Sequence, residues 1–218
     1  MKKLVATAAM LGFMVAVPVQ SIGAQAASAP KVSIKDYKGA DDIQYAVIAG
    51  DKYKAVNAKM KKEAKKAYEY QAAEDEKAMQ QQVEGMYDGY KGEITLKPIV
   101  KFKSASKVSI LSVTSLNEGG AAHGNIYTKS YNTINGKEVS LKSVFKSEKA
   151  YLNAKKYAKA KVLDNKKKYP LADKKTTIAG HSFYFTSTGG IKVVFDPYEV
   201  APYAEGFVTV SIPKSQLK

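Results

Sequence analysis

Apolar residues in the first half of the chain recur with a helical period. Over residues 53–68 they are spaced three or four positions apart, which predicts an amphipathic helix. The carboxylate of Asp51 is placed to cap the first turn of this helix. The apolar stripe resumes over residues 79–86, beyond an acidic stretch at 74–76 where we expect a bend or a break. Before the helix, residues 43–48 form a short β-prone run, and residues 27–36 predict an irregular start.

From Gly92 onward the apolar period changes to two, which is typical of strands. Asn135-Gly136 and Gly189-Gly190 predict tight hairpin turns, because these residues tolerate positive φ. A second helix begins after Ser147, a good capping residue, and ends before Pro170. The pattern predicts an α+β fold with an antiparallel β-sheet and two long amphipathic helices. The predicted strands cover residues 94–102, 108–113, 126–133, 139–144, 181–186, 191–195 and 207–212.

The first 26 residues have the three parts of an export signal. Lys2 and Lys3 precede an apolar run over residues 4–19, and Ala24-Gln25-Ala26 provides a small-x-small cleavage site. The run is short for a membrane span and contains Pro18, so we expect no transmembrane span after cleavage. The chain has no cysteine, and we therefore expect neither a lipid anchor nor disulfides. This predicts a secreted or periplasmic protein with a cleaved signal peptide.

The chain is strongly basic, with a formal net charge of +15. Every basic residue is a lysine, and arginine, which reads phosphates and guanine edges with two donors, does not occur. We therefore expect no nucleic-acid partner. Lysine contacts with anionic envelope polymers are one interpretation of the charge, and solubility alone is the other.

The sequence contains few residues suited to catalysis. It has no catalytic thiol, no phosphate-binding glycine motif, and only two histidines. His123 lies in a glycine-rich connection, Gly119 to Gly124, where it could join a carboxylate in an acid–base site or form a structural hydrogen bond. No second residue stands at metal-binding spacing, so we predict neither metal nor cofactor. We interpret His181 as the polar end of a strand.

The stretch 196–206, Asp-Pro-Tyr-Glu-Val-Ala-Pro-Tyr-Ala-Glu-Gly, is stiff, aromatic and acidic. Its prolines exclude a helix or a central strand. Tyr198 and Tyr203 offer large apolar faces with polar tips, as binding surfaces do, and they can equally pack against the two prolines. Glu199 and Glu205 resemble a glycosidase pair only loosely and more often cap turns. The stretch is therefore either a binding loop or a structural corner.

The glycine turn around His123, the run Tyr131 to Phe145 (Tyr-Asn-Thr-Ile-Asn-Gly-Lys-Glu-Val-Ser-Leu-Lys-Ser-Val-Phe), and the closing stretch from Val194 to Gly206 together resemble a known extracellular domain family. It is the family shared by the lysozyme-sensing anti-sigma-V factor (RsiV-like) and the non-catalytic region of a peptidoglycan deacetylase (PdaC-like). The resemblance covers residues 105–218. It divides the chain into a signal peptide (1–26), a strand-plus-helix segment (27–104) and the RsiV/PdaC-like α+β domain (105–218).

The resemblance implies a cell-envelope binding domain. We expect neither sigma-factor control nor deacetylation, because the sequence contains no region for either. The predicted function is non-enzymatic recognition of a wall polysaccharide or a lysozyme-like protein. The predicted contacts are His123, Tyr198, Glu199, Tyr203 and Glu205. The alternative is an envelope hydrolase that acts on peptidoglycan or another polysaccharide through His123 and the loop carboxylates.

Overall fold

A computed structural model describes residues 28–86, 91–118 and 124–218. The predicted signal peptide lies outside the described residues, as does His123. In chain order the α-helices and strands are β1 (Val32–Tyr37), β2 (Ala40–Ile48), α1 (Lys54–Val83), β3 (Glu93–Lys103), β4 (Lys107–Asn117), β5 (Asn125–Ile134), β6 (Lys137–Glu138), α2 (Glu148–Leu163), β7 (Phe183–Phe185), β8 (Ile191–Phe195) and β9 (Val208–Ile212).

The strands form two sheets rather than the one that was predicted. The first has the order β1-β2-β3-β4-β5-β6 and the second has the order β7-β8-β9. All neighbouring strands are antiparallel except β2 and β3, which run parallel and pair at Ile43 and Leu96. The mainly antiparallel α+β prediction is confirmed. The predicted boundary at residues 104–105 lies in the turn between β3 and β4.

Helix α1 runs for 30 residues without a break at the acidic stretch. Glutamine, glutamate, lysine and alanine are all good helix formers, and they continue the helix past the part that packs on the sheet. Its buried residues are confined to the first half, from Val56 to Ala67. The predicted stripe at 79–86 is wrong, since Met79, Val83 and Met86 are 66%, 84% and 65% exposed. Helix α2 has 16 residues, so the described part of the chain contains one long α-helix and one of moderate length rather than two long ones.

Two local predictions at turns and caps are confirmed. The Ser147 hydroxyl accepts a hydrogen bond from the Ala150 amide at 3.1 Å and begins α2. Asn135 and Gly136 have φ values of 52° and 83° in the turn between β5 and β6. The predicted Asp51 cap is wrong, because Asp51 opens a short 3-10 turn and forms an ion pair with Lys54 at 3.1 Å.

Two strand predictions are also corrected. The predicted strand over residues 139–144 does not form. The strand that follows the hairpin turn is the two-residue β6, and a 3-10 turn at Lys142–Val144 comes after it. Strand β1 replaces the second half of the predicted irregular start, from residue 32 onward. It pairs with β2 through a turn in which Lys38 and Gly39 both have positive φ. A lysine in that conformation is uncommon, so the residue types at this turn do not predict a hairpin.

Each helix packs on one sheet. Helix α1 packs against the first sheet, where Met60 lies among buried residues that include Ile110 and Tyr131. Helix α2 covers the second sheet with Ala154 and other small residues, which let helix and sheet approach closely. Among the described residues, no helix combines the length and the apolar character that crossing a bilayer requires.

Candidate functional site

The 196–206 loop connects β8 to β9 and is fixed to the core by its own apolar residues. Val200 and Ala201 are both buried. The amide of Tyr198 donates to the Ala201 carbonyl at 2.9 Å, and the amide of Glu199 donates to the Asp196 carbonyl at 3.2 Å. These bonds close a tight turn at the start of the loop, as its prolines and small residues predict.

The first acid of the loop points toward the first sheet. Asp196 Oδ1 accepts hydrogen bonds from the backbone amide of Thr128, at 3.0 Å, and from its hydroxyl, at 2.6 Å. The nearby Ser182 hydroxyl donates to the Thr128 carbonyl at 2.9 Å. Because Thr128 lies on β5, these bonds tie the second sheet and its loop to the first sheet. Asp196 is therefore engaged in holding the loop.

The second acid, Glu199, pairs with a histidine, but the histidine is His181. Its Nε2 atom lies 3.1 Å from Oε1 and 3.2 Å from Oε2 of Glu199. Glu199 Oε2 also accepts the Asp196 amide hydrogen at 2.6 Å. The His181 ring packs edge-on against Phe195, with ring centroids 4.8 Å apart. His181 is thus a central part of the loop support, and its interpretation as a mere polar strand end is wrong.

The contacts of His181 determine its protonation. Its Nδ1 atom lies 3.1 Å from the Ala179 carbonyl oxygen, so both ring nitrogens face acceptors. A neutral imidazole carries one N–H, and only the imidazolium donates to both partners. The side chain of His181 is 16% exposed, whereas that of Glu199 is 42% exposed. The pair is therefore a half-buried ion pair in which the histidine holds the loop.

The pKa values of the three groups follow from this geometry. Burial lowers the pKa of His181, but the hydrogen bond and charge of Glu199 and the Ala179 carbonyl outweigh it, so the pKa lies above the usual histidine value. For Glu199, burial raises the pKa, yet the contact with His181 gives a net decrease. For Asp196, burial dominates and raises the pKa despite the Thr128 hydrogen bonds. Both shifts thus favour the charged forms of the pair, His181⁺ and Glu199⁻.

This arrangement is poorly suited to acid–base chemistry. Neither nitrogen of His181 is left to take a proton from a substrate, and two loop carboxylates already accept hydrogen bonds from the protein. A cleft of about 260 Å³ adjoins the pair, lined also by Asp173 and Lys175. Over the parts of the chain that the structure describes, no three His, Asp or Glu side chains come together as a metal site would require.

What the loop presents outward is aromatic. Tyr198 is 56% exposed, and its backbone has a φ of 68°, in the left-handed region. The Tyr198 and Tyr203 rings lie together, with centroids 5.8 Å apart and planes tilted by 35°. Glu205 is exposed in a short 3-10 turn that begins at Tyr203. Four of the five predicted contacts lie on this loop. The rings of Tyr198 and Tyr203 are together, whereas the carboxylate of Glu199 is turned toward His181.

His181 could have been found from the sequence. The predicted hairpin of residues 181–186 with 191–195 places His181 opposite Phe195, one residue before the loop begins. The observed pairing of Phe183 with Val193 and the bond from the Val194 amide to the Ser182 carbonyl, at 2.8 Å, produce that placement. The signal was therefore the hairpin register, because a separation of 18 positions between His181 and Glu199 is not a motif in itself.

Comparisons with known proteins agree with the fold and leave the function open. Residues 142–215 match the sequence profile of DUF3298, a family described as proteins of unknown function. The fold is similar to the crystal structure of a DUF3298 family member from Bacteroides fragilis, with a TM-score of 0.62 and 16% identity, over 88% of this chain and 94% of that chain.

A DUF3298 family protein from Pseudomonas aeruginosa also matches 88% of this chain and 93% of its own, with 16% identity and a TM-score of 0.49. No curated protein matches the chain significantly. The chain is therefore similar to DUF3298 proteins in fold and, over residues 142–215, in sequence.

Proposed function

We propose that this chain is an exported, non-enzymatic binding protein of the cell envelope, and that it recognises a wall glycan through Tyr198 and Tyr203. The observation that carries the proposal is the backbone of Tyr198. It adopts a φ of 68° while its ring stays exposed. Bulky residues rarely adopt this conformation, and where a fold enforces one, function is a common reason.

The supports of the loop agree with a binding role. The Thr128 bonds to Asp196 and the His181–Glu199 pair fix the loop before any ligand arrives. A rigid aromatic surface loses little conformational entropy on binding, which favours affinity. Tyrosine rings provide the flat apolar face on which a sugar ring packs, and the tyrosine hydroxyl is a polar group at the edge of that face. Glu199 then acts by positioning the loop, and Glu205 is a contact at the rim.

Export is part of the same proposal, and it rests on the predicted signal peptide, which lies outside the described residues. The resemblance of residues 105–218 to the RsiV-like and PdaC-like domain supports an envelope location. A glycan is favoured over a lysozyme-like protein because the chain keeps a net charge of about +13 after Lys2 and Lys3 leave with the signal peptide, and this charge repels a basic partner. Hydrolysis is not proposed, because the Asp196 and Glu199 carboxylates are engaged by the protein itself.

A pull-down with insoluble peptidoglycan tests the proposal, using the chain from residue 27 onward. Tyr198→Ala with Tyr203→Ala is expected to reduce the bound fraction at least about ten-fold. Tyr127→Ala is the matched control, because Tyr127 is 51% exposed on β5, close to the exposure of Tyr198. Circular dichroism confirms that each variant is folded. Binding through the rings is expected to persist in about 0.5 M NaCl, unlike binding by lysines.

Three outcomes would overturn the proposal. The first is unchanged retention of the Tyr198/Tyr203 double variant while the fold is intact. The second is release of reducing sugar ends from the peptidoglycan, which would indicate a hydrolase. The third is capture of the chain by immobilised lysozyme but not by peptidoglycan, which would indicate a protein partner.

A further inference from the structure

A second cleft lies between the two sheets, apart from the 196–206 loop. It has a volume of about 600 Å³. Lys101 of β3 lies on one side, and Tyr184 of β7 and Lys192 of β8 lie on the other. The rest of the lining combines hydroxyl-bearing residues, among them Ser187 and Ser211, with apolar residues such as Phe102 and Ile191. No aspartate or glutamate of the described residues lines this cleft.

The two lysines are held in place by aromatic and strand contacts. The ammonium group of Lys101 lies 5.6 Å from the ring centre of Tyr184 and 5.2 Å from that of Phe207. Lys192 is the cross-strand partner of Tyr184, so both side chains lie on the same face of the second sheet. Tyr184 therefore has one lysine over its ring and another beside it. This arrangement orients two positive charges toward one cleft.

In another cleft, the lysines are paired with carboxylates. The groove of about 710 Å³ beside β5 is lined by Lys59, Lys129 and Lys142. Each of these lysines forms an ion pair with a carboxylate, and the partners are Glu138, Glu63 and Glu148. Within the described residues, neither Lys101 nor Lys192 forms an ion pair. The cleft of Lys101 and Lys192 thus concentrates positive charge that the protein does not neutralise.

The charged form of Lys101 is destabilised by its position in this cleft. Burial, followed by the charge of Lys192, lowers the pKa of Lys101 below the usual lysine value. An anion placed between the two ammonium groups would remove the repulsion and restore the pKa. The aromatic rings favour the charged form of Lys101 through cation–π attraction. The cleft is therefore electrostatically complementary to a negative group.

We propose that this cleft binds an anionic sugar or polyol, with its phosphate or carboxylate between Lys101 and Lys192. The volume of about 600 Å³ far exceeds one phosphate and lies in the range of small-molecule sites. The Tyr184 ring packs against the carbon skeleton, and Ser187 and Ser211 hydrogen-bond to its hydroxyl groups. This site does not depend on the proposed role of Tyr198 and Tyr203.

Titration of the isotope-labelled chain with small probes, followed by amide chemical shifts, tests the site. The probes are glycerol 3-phosphate and digalacturonic acid, with glycerol and galactose as uncharged controls. Both anions, or one of them, are expected to shift amides around residues 184–192, and the neutral probes are not. A response to the phosphate alone identifies a polyol phosphate as the ligand class. A response to the uronate alone identifies an acidic sugar.

Charge-matched variants separate a built site from general attraction. Lys101→Gln with Lys192→Gln is expected to weaken binding at least about ten-fold. Lys61→Gln with Lys149→Gln removes two exposed lysines from α1 and α2 and is expected to leave binding unchanged. If Lys101→Gln prevents folding, Lys192→Gln alone with Ser211→Ala is measured instead. Equal weakening in the control pair, or no shift with either anion in the unaltered chain, would overturn the proposal.

Discussion

The side chain of Asn57 pairs with the backbone of Ile48 as a neighbouring strand would. Its Oδ1 atom accepts the Ile48 amide hydrogen at 3.0 Å, and its Nδ2 atom donates to the Ile48 carbonyl at 2.8 Å. Further along α1, Gln71 makes the same type of contact with β3, accepting from the Ile94 amide at 3.0 Å and donating to the Gly92 carbonyl at 3.2 Å. Helix α1 therefore provides hydrogen bonds to backbone groups of β2 and β3 away from Ile43 and Leu96, where the two strands pair.

Substitution of Asn57 tests this edge contact. Asn57→Leu is expected to lower the free energy of unfolding by about 2–3 kcal/mol, because both Ile48 groups lose their partner in a half-buried position. Asn57→Asp keeps an acceptor but places it against the Ile48 carbonyl, and is expected to cost a similar amount. Urea unfolding monitored by circular dichroism measures the change.

Asn153→Ala provides the control for this substitution. Asn153 is exposed on α2, and its replacement by a better helix former is expected to change stability by less than about 0.5 kcal/mol. An Asn57→Leu variant as stable as the Asn153→Ala variant would show that the hydrogen bonds between the Asn57 side chain and the Ile48 backbone do not stabilise the fold.

The His181–Glu199 pair predicts a dependence of stability on pH. The pKa of His181 is raised in the folded chain, so its contribution is complete below the usual histidine value and is lost as pH rises through the raised value. His181→Gln is expected to cost about 1–2 kcal/mol at about pH 6 and less at about pH 8.5. Urea unfolding at the two pH values, for both chains, measures the difference.

The acids near His181 act in a lower pH range. The pKa of Glu199 is lowered, so its contribution is present above the usual glutamate value and is lost as pH falls through the lowered value. The pKa of Asp196 is raised, so its effect has the opposite sign: protonation of Asp196 favours the folded chain as the pH falls. Asp173 and Lys175 line the adjoining cleft and remain in both chains. A cost of His181→Gln that did not change between the two pH values would argue against the ion pair.

Local signals in the sequence predicted much of the fold. The Ser147 cap and the Asn135-Gly136 turn each depend on residues close in the chain, and both appear in the structure, as do the predicted strands other than the one over residues 139–144. The parallel pairing of Ile43 with Leu96 and the division into two sheets depend on contacts between distant residues. No local pattern encodes such contacts, because the energy that decides them comes from tertiary packing.

The candidate site was predictable in part for the same reason. The proline and tyrosine content of the loop correctly predicted a non-helical turn with an exposed aromatic residue. The hydrogen-bond partners of its carboxylates could not be predicted from composition, because a partner such as Thr128, which bonds to Asp196, lies 68 positions earlier in the chain. The role of His181 depends on the register of the β7–β8 hairpin, whereas the glycine-rich surroundings of His123 are a local feature of the sequence.

The contact between the two sheets predicts a large cost for a small change at Ser109. The Ser109 hydroxyl, fully buried on β4, accepts the Phe185 amide hydrogen of β7 at 3.0 Å. Ser109→Ala leaves that amide without a partner and is expected to cost about 1–3 kcal/mol. Thermal and urea unfolding measure it. The exposed Ser215→Ala is expected to stay within about 0.5 kcal/mol, and equal effects of both would refute the role of Ser109.

Two substitutions of Tyr198 distinguish the effect of its left-handed backbone on stability from the effect of its ring on binding. Glycine adopts a φ of 68° without steric cost, whereas alanine does not. Tyr198→Gly is therefore expected to be about 1 kcal/mol more stable than Tyr198→Ala, as measured by urea unfolding. Both variants lose the exposed ring and are expected to lose retention on peptidoglycan to the same extent. Recovery of binding in the glycine variant would show that loop conformation, rather than the tyrosine ring, makes the contact.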